Sequence, residues 1–181
     1  PNNETYKVPD DYNSTLKLLK NIIQNKDIVV ISGGISVGDY DYVGKALSEL
    51  NTKEFFYKIK QKPGKPLYFG KNNNTFIFAL PGNPAAALSC FYIYVLRHLK
   101  RLSGESLYEP KKIEAISNSN YIKKGDRAQF LKAFYKNGTI DILDGQSSSM
   151  LHTFAVSNVL VYLSGDSKGI AKGDLINAII L

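Results

Sequence analysis

The run Asp27–Ser32, sequence DIVVIS, places four apolar residues in succession and stops at Gly33-Gly34. A strand with one wet face alternates apolar and polar residues. A strand apolar on both faces needs cover on both, the habit of a parallel sheet flanked by helices. The flanking sequence supplies such cover. Asp11–Asn25 sets Leu16, Leu19, Ile22 and Ile23 at helical spacing, with Ser14 or Asn13 available to cap its start. Asp39–Leu50 does the same with Val43, Ala46, Leu47 and Leu50. Glu54–Lys60 reads as a further strand. Leu67–Gly70 and Thr75–Leu80 read as a hairpin around Asn72-Asn73-Asn74, because Asn tolerates left-handed turns. Asn83–Leu102 reads as a long helix with Pro84 in its first turn, where a missing N–H costs nothing.

The pattern changes after Ser103-Gly104. Short strand-like runs follow at Ile113–Ser117, Gln129–Lys136, Thr139–Leu143, Val156–Leu163 and Leu175–Ile180, separated by Asn137-Gly138 and Asp144-Gly145. That spacing predicts a small all-β barrel or sandwich. The chain is therefore divided into an α/β unit over residues 1–106 and a β unit over residues 107–181.

Composition narrows the function. Of 181 residues, 44% are hydrophobic and 22% charged, which suits a folded globular chain. No apolar run approaches the ~20 residues of a membrane span, and the polar stretch before Asp27 lacks the apolar core of a signal peptide. The single cysteine, Cys90, excludes an internal disulfide and a multi-Cys zinc site, and reads as a small buried hydrophobe. His98 and His152, the only histidines, form no catalytic constellation: His98 reads as a surface residue near a helix end and His152 as structural. The net charge of +7 points to an anionic partner. No nucleic-acid-binding motif accompanies it, so no nucleic acid is expected.

Three punctuated stretches lie in the α/β unit. Ser32-Gly-Gly-Ile-Ser-Val-Gly-Asp-Tyr-Asp-Tyr42 follows a strand and opens a helix. Ligands bind at the carboxyl ends of strands in such sheets, and glycines let the backbone approach an anion. The spacing is neither a dinucleotide fingerprint nor a P-loop, so a plain tight turn is the competing reading. Asp39 and Asp41 either favour the helix dipole or hold Mg²⁺ beside a phosphate. Lys62-Pro-Gly-Lys-Pro66 sets two lysines on a stiff turn, and Leu80-Pro-Gly-Asn-Pro84 joins a strand to the long helix at the same sheet edge as the first stretch.

In this order, with Phe69-Gly70 between the second and third, the stretches resemble the molybdopterin molybdenumtransferases, the family of bacterial MoeA and the gephyrin E domain. Gly145-Gln-Ser-Ser-Ser-Met-Leu151, Ala155, Asn158 and Ala171-Lys-Gly-Asp174 extend the likeness, more loosely, into the β unit. The resemblance implies a three-layer α/β, MogA-like molybdopterin-binding domain that lacks its first strand and helix here, followed by a C-terminal β-barrel. It implies insertion of molybdate into adenylylated molybdopterin with release of AMP, aided by Mg²⁺, in a cytoplasmic protein that is a homodimer at full length. The family's key acidic residue falls on Asp41, which is expected to serve as a catalytic residue and as the Mg²⁺ ligand. Lys62 and Lys65 are the expected anion-stabilising residues. Ser32, Gly33, Gly34, Ser36, Val37, Gly38, Asp39, Pro63, Gly64, Pro81, Gly82, Asn83 and Pro84 are expected to line the ligand. Family members are longer, so the numbering is expected to start inside a longer protein, and this portion alone is expected to be inactive. The alternative is a non-catalytic pterin-binding or scaffolding relative.

Overall fold

A computed structural model describes residues 2–35 and 41–181 of the chain. Helix α1 (Tyr12–Ile23) starts at Asp11, whose carboxylate accepts the Ser14 N–H at 2.9 Å, so the cap lies ahead of the two residues suggested by sequence. Strand β1 (Ile28–Ser32) and helix α2 (Tyr42–Glu49) follow. Next come β2 (Lys53–Phe56), the two-residue β3 (Gln61–Lys62), and the hairpin of β4 (Tyr68–Asn72) and β5 (Thr75–Leu80). The expected long helix runs as α3 (Pro84–Cys90), a π-helical turn (Phe91–Val95) and α4 (Leu96–Leu102).

The first sheet has the order β1-β5-β4-β2, with β1 and β5 parallel and the other pairings antiparallel. Alternation along β5 builds the three layers. Ile77 and Ala79 face α1 and α2 with Leu19, Ile23, Val43 and Leu47. Phe78 and Leu80 face the other way, into a cluster with Leu67, Cys90 and Val95.

Three expectations need correction here. Strand β1 is not interior: among the described residues it pairs only with β5, and Val30 is 42% exposed. Its apolar run is therefore only partly covered: Val29 is buried in the cluster with α1 and α2, whereas Val30 on the other face reaches solvent. The expected strand Glu54–Lys60 ends at Phe56, because the pairing shifts between Glu54 and Phe56 and the chain turns at Lys58 with φ 61°. His98 is also not a plain surface residue. Its ring meets Phe69, Phe76 and Phe78 edge-on, with centroids 5.0–5.6 Å apart, and its Nδ1 lies 3.1 Å from the Tyr94 carbonyl.

The remainder is a closed barrel. Strands β6 (Lys112–Ser117), β7 (Tyr121–Ile122), β8 (Ala128–Lys136) and β9 (Thr139–Ile142) precede helix α5 (His152–Val156). Then come β10 (Val159–Leu163), β11 (Gly169–Ile170) and β12 (Leu175–Ile180). The ring β10-β12-β6-β9-β8 closes through a β8–β10 pairing, which removes sheet edges, and β7 and β11 form a separate ribbon. The expected strand Val156–Leu163 begins only at Val159. Asn158 interrupts it: its side-chain amide accepts from the Tyr135 N–H (2.7 Å) and donates to the Tyr135 carbonyl (2.9 Å), replacing a backbone pair. His152 is exposed at the start of α5.

The α/β and β parts are joined by more than the connecting segment. Strand β3 pairs in parallel with the start of β8, Gln61 opposite Ala128 and Lys62 opposite Gln129. Tyr92 stacks on Phe154 at 6.5 Å between centroids.

Candidate functional site

The carboxyl ends of β1 and β5 lie together, because the register sets Ser32 opposite Leu80. The Gly33 N–H donates to the Leu80 carbonyl at 3.3 Å, and a Cβ on Gly82 would lie 3.8 Å from the Gly33 Cα. The first and third stretches therefore meet, as their placement after neighbouring strands implied. Gly33 and Gly34 have φ of 84° and 68°, and a Cβ on Gly34 would come within 2.8 Å of Val43. These glycines do make a tight turn, with backbone rather than side chain at the edge. Ser36, Val37, Gly38 and Asp39 lie outside the described residues.

Asp41 caps α2. Its Oδ1 accepts the Gly44 N–H (3.0 Å) and its Oδ2 accepts the Tyr57 hydroxyl (2.7 Å). It borders an open groove of about 480 Å³ shared with Lys45, Ser48, Glu54 and Tyr57. Among the described residues, no other expected site residue lines that groove. Tyr57, just past β2, was not legible as a partner of Asp41, because nothing in the sequence brings residues 41 and 57 together.

The second stretch leads from β3, paired with the barrel strand β8, into β4, whose first residue Tyr68 lies opposite Ala79 near the carboxyl end of β5. Lys62 and Lys65 are exposed, and among the described residues neither has an ion pair. Pro63 is half-buried and Gly64 buried. In the third stretch Pro81 is buried, whereas Gly82, Asn83 and Pro84 are exposed. Asn83 Nδ2 donates to Ser148 Oγ of the barrel at 3.2 Å.

That last contact shows what the sequence alone left without a role. The segment Gly145–Leu151 reaches the third stretch, and a buried lysine shapes it. Lys132, 4% exposed on β8, donates through Nζ to the carbonyls of Gly145 (2.7 Å), Met150 (2.8 Å) and Ser147 (3.3 Å). Burial lowers its pKa from the ordinary lysine value. Gln146 brackets the same residue, accepting from the Lys132 N–H and donating to its carbonyl. Strand alternation gives no warning of Lys132: it lies buried between buried Leu131 and Ala133.

Residues 3–101 match the family described as "Probable molybdopterin binding domain". The chain belongs to the molybdopterin-binding domain family. Residues 114–181 match the "MoeA C-terminal region (domain IV)", so the chain carries both parts in the order seen in the fold. A curated relative from Haemophilus influenzae, molybdopterin molybdenumtransferase, is 35% identical over 83% of this chain and 38% of its own length. Its namesake from Staphylococcus epidermidis is 27% identical over 97% of this chain and 43% of its own. The chain thus spans about two-fifths of the length of these relatives. Among solved structures, a moeA protein from Pyrococcus horikoshii superposes with TM-score 0.77 at 25% identity over 96% of this chain and 42% of that one. A molybdenum cofactor biosynthesis protein from Pyrococcus furiosus superposes with TM-score 0.76 at 20% identity over 96% and 56%.

Proposed function

We propose that this molybdopterin-binding chain is part of a molybdopterin molybdenumtransferase, which inserts molybdate into adenylylated molybdopterin with release of AMP. The observation that carries the reading is the meeting of the first and third stretches at the carboxyl ends of β1 and β5, with the second stretch entering β4 beside that edge, where Tyr68 lies opposite Ala79, and with Lys62 and Lys65 free of ion pairs among the described residues. Molybdate and the phosphoanhydride are both anions and repel one another. Two exposed ammonium groups and the turn Gly33-Gly34, whose backbone is uncluttered by side chains, offset that repulsion, so catalysis here rests on positioning and electrostatics. The ligand is assigned to the unit 1–106, and the barrel, residues 107–181, contributes its contact through Ser148.

Mg²⁺ fits this site in a limited mode. Among the described residues each oxygen of the Asp41 carboxylate accepts one hydrogen bond, from the Gly44 N–H and from the Tyr57 hydroxyl, and a carboxylate oxygen has lone pairs for a second partner. Among the described residues no cluster of three His, Cys, Asp or Glu side chains could hold a metal alone. Asp41 would therefore hold the ion together with phosphate oxygens, and the bound ion would neutralise phosphate charge. We assign the intact protein to the cytoplasm as a homodimer. Among the described residues no helix is long and apolar enough to cross a membrane.

The test is Asp41→Asn in the intact protein, which keeps a capping side chain where alanine would lose it. Insertion, read by reconstitution of a molybdenum-free apoenzyme, is expected to fall about 100-fold with the melting temperature held within a few degrees. Full activity in this variant overturns the role of Asp41. A wild-type protein that binds adenylylated molybdopterin but never turns it over is a pterin-binding relative instead.

A further inference from the structure

The lysine stretch is held from two directions. Its backbone is tied to the barrel: β3 pairs with β8, and the Ala128 N–H donates to the Lys60 carbonyl at 3.1 Å. Its interior is tied to the long helix by one buried amide. Gln61 is 5% exposed. Its Nε2 donates to the Pro63 carbonyl at 2.9 Å, inside the turn between the two lysines, and its Oε1 accepts the Tyr94 hydroxyl. Gly64, with φ 105°, lies against this assembly: a Cβ there would come within 2.6 Å of the Cys90 Sγ and 2.9 Å of the Gln61 Nε2. Cys90 closes α3 and Tyr94 lies in the π-helical turn, an irregularity found mostly at functional positions. The same helix begins at Pro84, so it links the Leu80–Pro84 stretch to the support of the lysine stretch.

We propose that Gln61 is a positioning residue: it fixes the turn through the Pro63 carbonyl so that Lys62 and Lys65 are presented as a pair to a phosphoryl- or molybdate-bearing ligand. This rests on the reading of the lysine stretch given above. A lysine is a flexible point charge, and its value at a reacting anion depends on how firmly its backbone is placed. Tyr94 orients the amide by donating to its oxygen, which leaves the amide nitrogen to hold the carbonyl.

The experiment is a double-mutant cycle in the intact protein. Gln61→Met keeps the length of the side chain and deletes both hydrogen bonds. It is compared with Lys62→Ala/Lys65→Ala and with the triple variant. Each is titrated with adenylylated molybdopterin, and amide hydrogen exchange is followed at Gly64 and Lys65. Gln61→Met is expected to raise Kd about tenfold, to speed exchange at both amides, and to add nothing to the double-lysine variant. An equal loss of affinity in both backgrounds overturns the proposal, since Gln61 would then act elsewhere than through the lysines. Unchanged exchange at Gly64 and Lys65 overturns the positioning itself. Wild-type affinity in the double-lysine variant overturns the lysine reading, and with it the ligand assigned to this turn.

Discussion

Cys90 has no exposed surface, and a Cβ on Gly64 would collide with its Sγ. Burial without a charged partner pushes the thiol up to about 12, against an ordinary 9.0. Between these values the folded thiol keeps its proton and the unfolded one loses it, so unfolding releases a proton and stability falls as pH rises. Tyr68 and Tyr94, also pushed up to about 12 by burial, add the same dependence above about pH 10. Thermal unfolding followed across pH 8 to 11 should show a midpoint that begins to drop near pH 9. Cys90→Ala should remove the part of that drop below pH 10 and leave the steeper part above it. An unchanged onset in the variant would place the responsible proton on another group.

The hairpin of β4 and β5 turns through Asn73, whose φ of 48° suits Asn and not a β-branched residue. Asn73→Val should lower stability by about 1–2 kcal/mol, read as a lower denaturant midpoint at constant slope. A midpoint equal to wild type would mean that the turn re-forms with another residue at positive φ. This hairpin was legible because its turn chemistry and alternation agree within a dozen residues. The buried faces of α1 and α2 were legible for the same reason: Leu19, Ile23, Val43 and Leu47 recur at helical spacing. The rest depended on distant partners. Asn158 ends an apolar run by imitating backbone for Tyr135, and β3 is a strand only because β8 lies beside it. At the site, the meeting of Gly33 with Gly82 follows from topology and could be read. The pairing of Asp41 with Tyr57, and the hold of Lys132 on Gly145–Leu151, join segments that no local pattern relates.

At the scale of the molecule, the two parts meet along one line that includes the site. β3 pairs with β8, Asn83 meets Ser148, and Tyr92 stacks on Phe154. Such contacts make the barrel a support for the stretches it touches. Among the described residues the ring β10-β12-β6-β9-β8 closes on itself, but the α/β sheet does not. β1 ends the order β1-β5-β4-β2, and its far side has no strand partner among the described residues. By alternation Val30 shares the face of Ile28, which packs with the α3–α4 cluster, yet Val30 remains 42% exposed. A flat apolar edge with unpaired backbone groups is a template for pairing with another chain, and a lysine on such an edge blocks it. The 181-residue chain should therefore associate as its concentration rises, through β1. Val30→Lys should reduce that association in light scattering while leaving the circular dichroism of the fold unchanged, because the substituted side chain already reaches solvent. If the variant associates as strongly as the parent, the contact lies elsewhere; the exposed Phe55 on β2, at the opposite end of the same sheet, is then the next position to substitute.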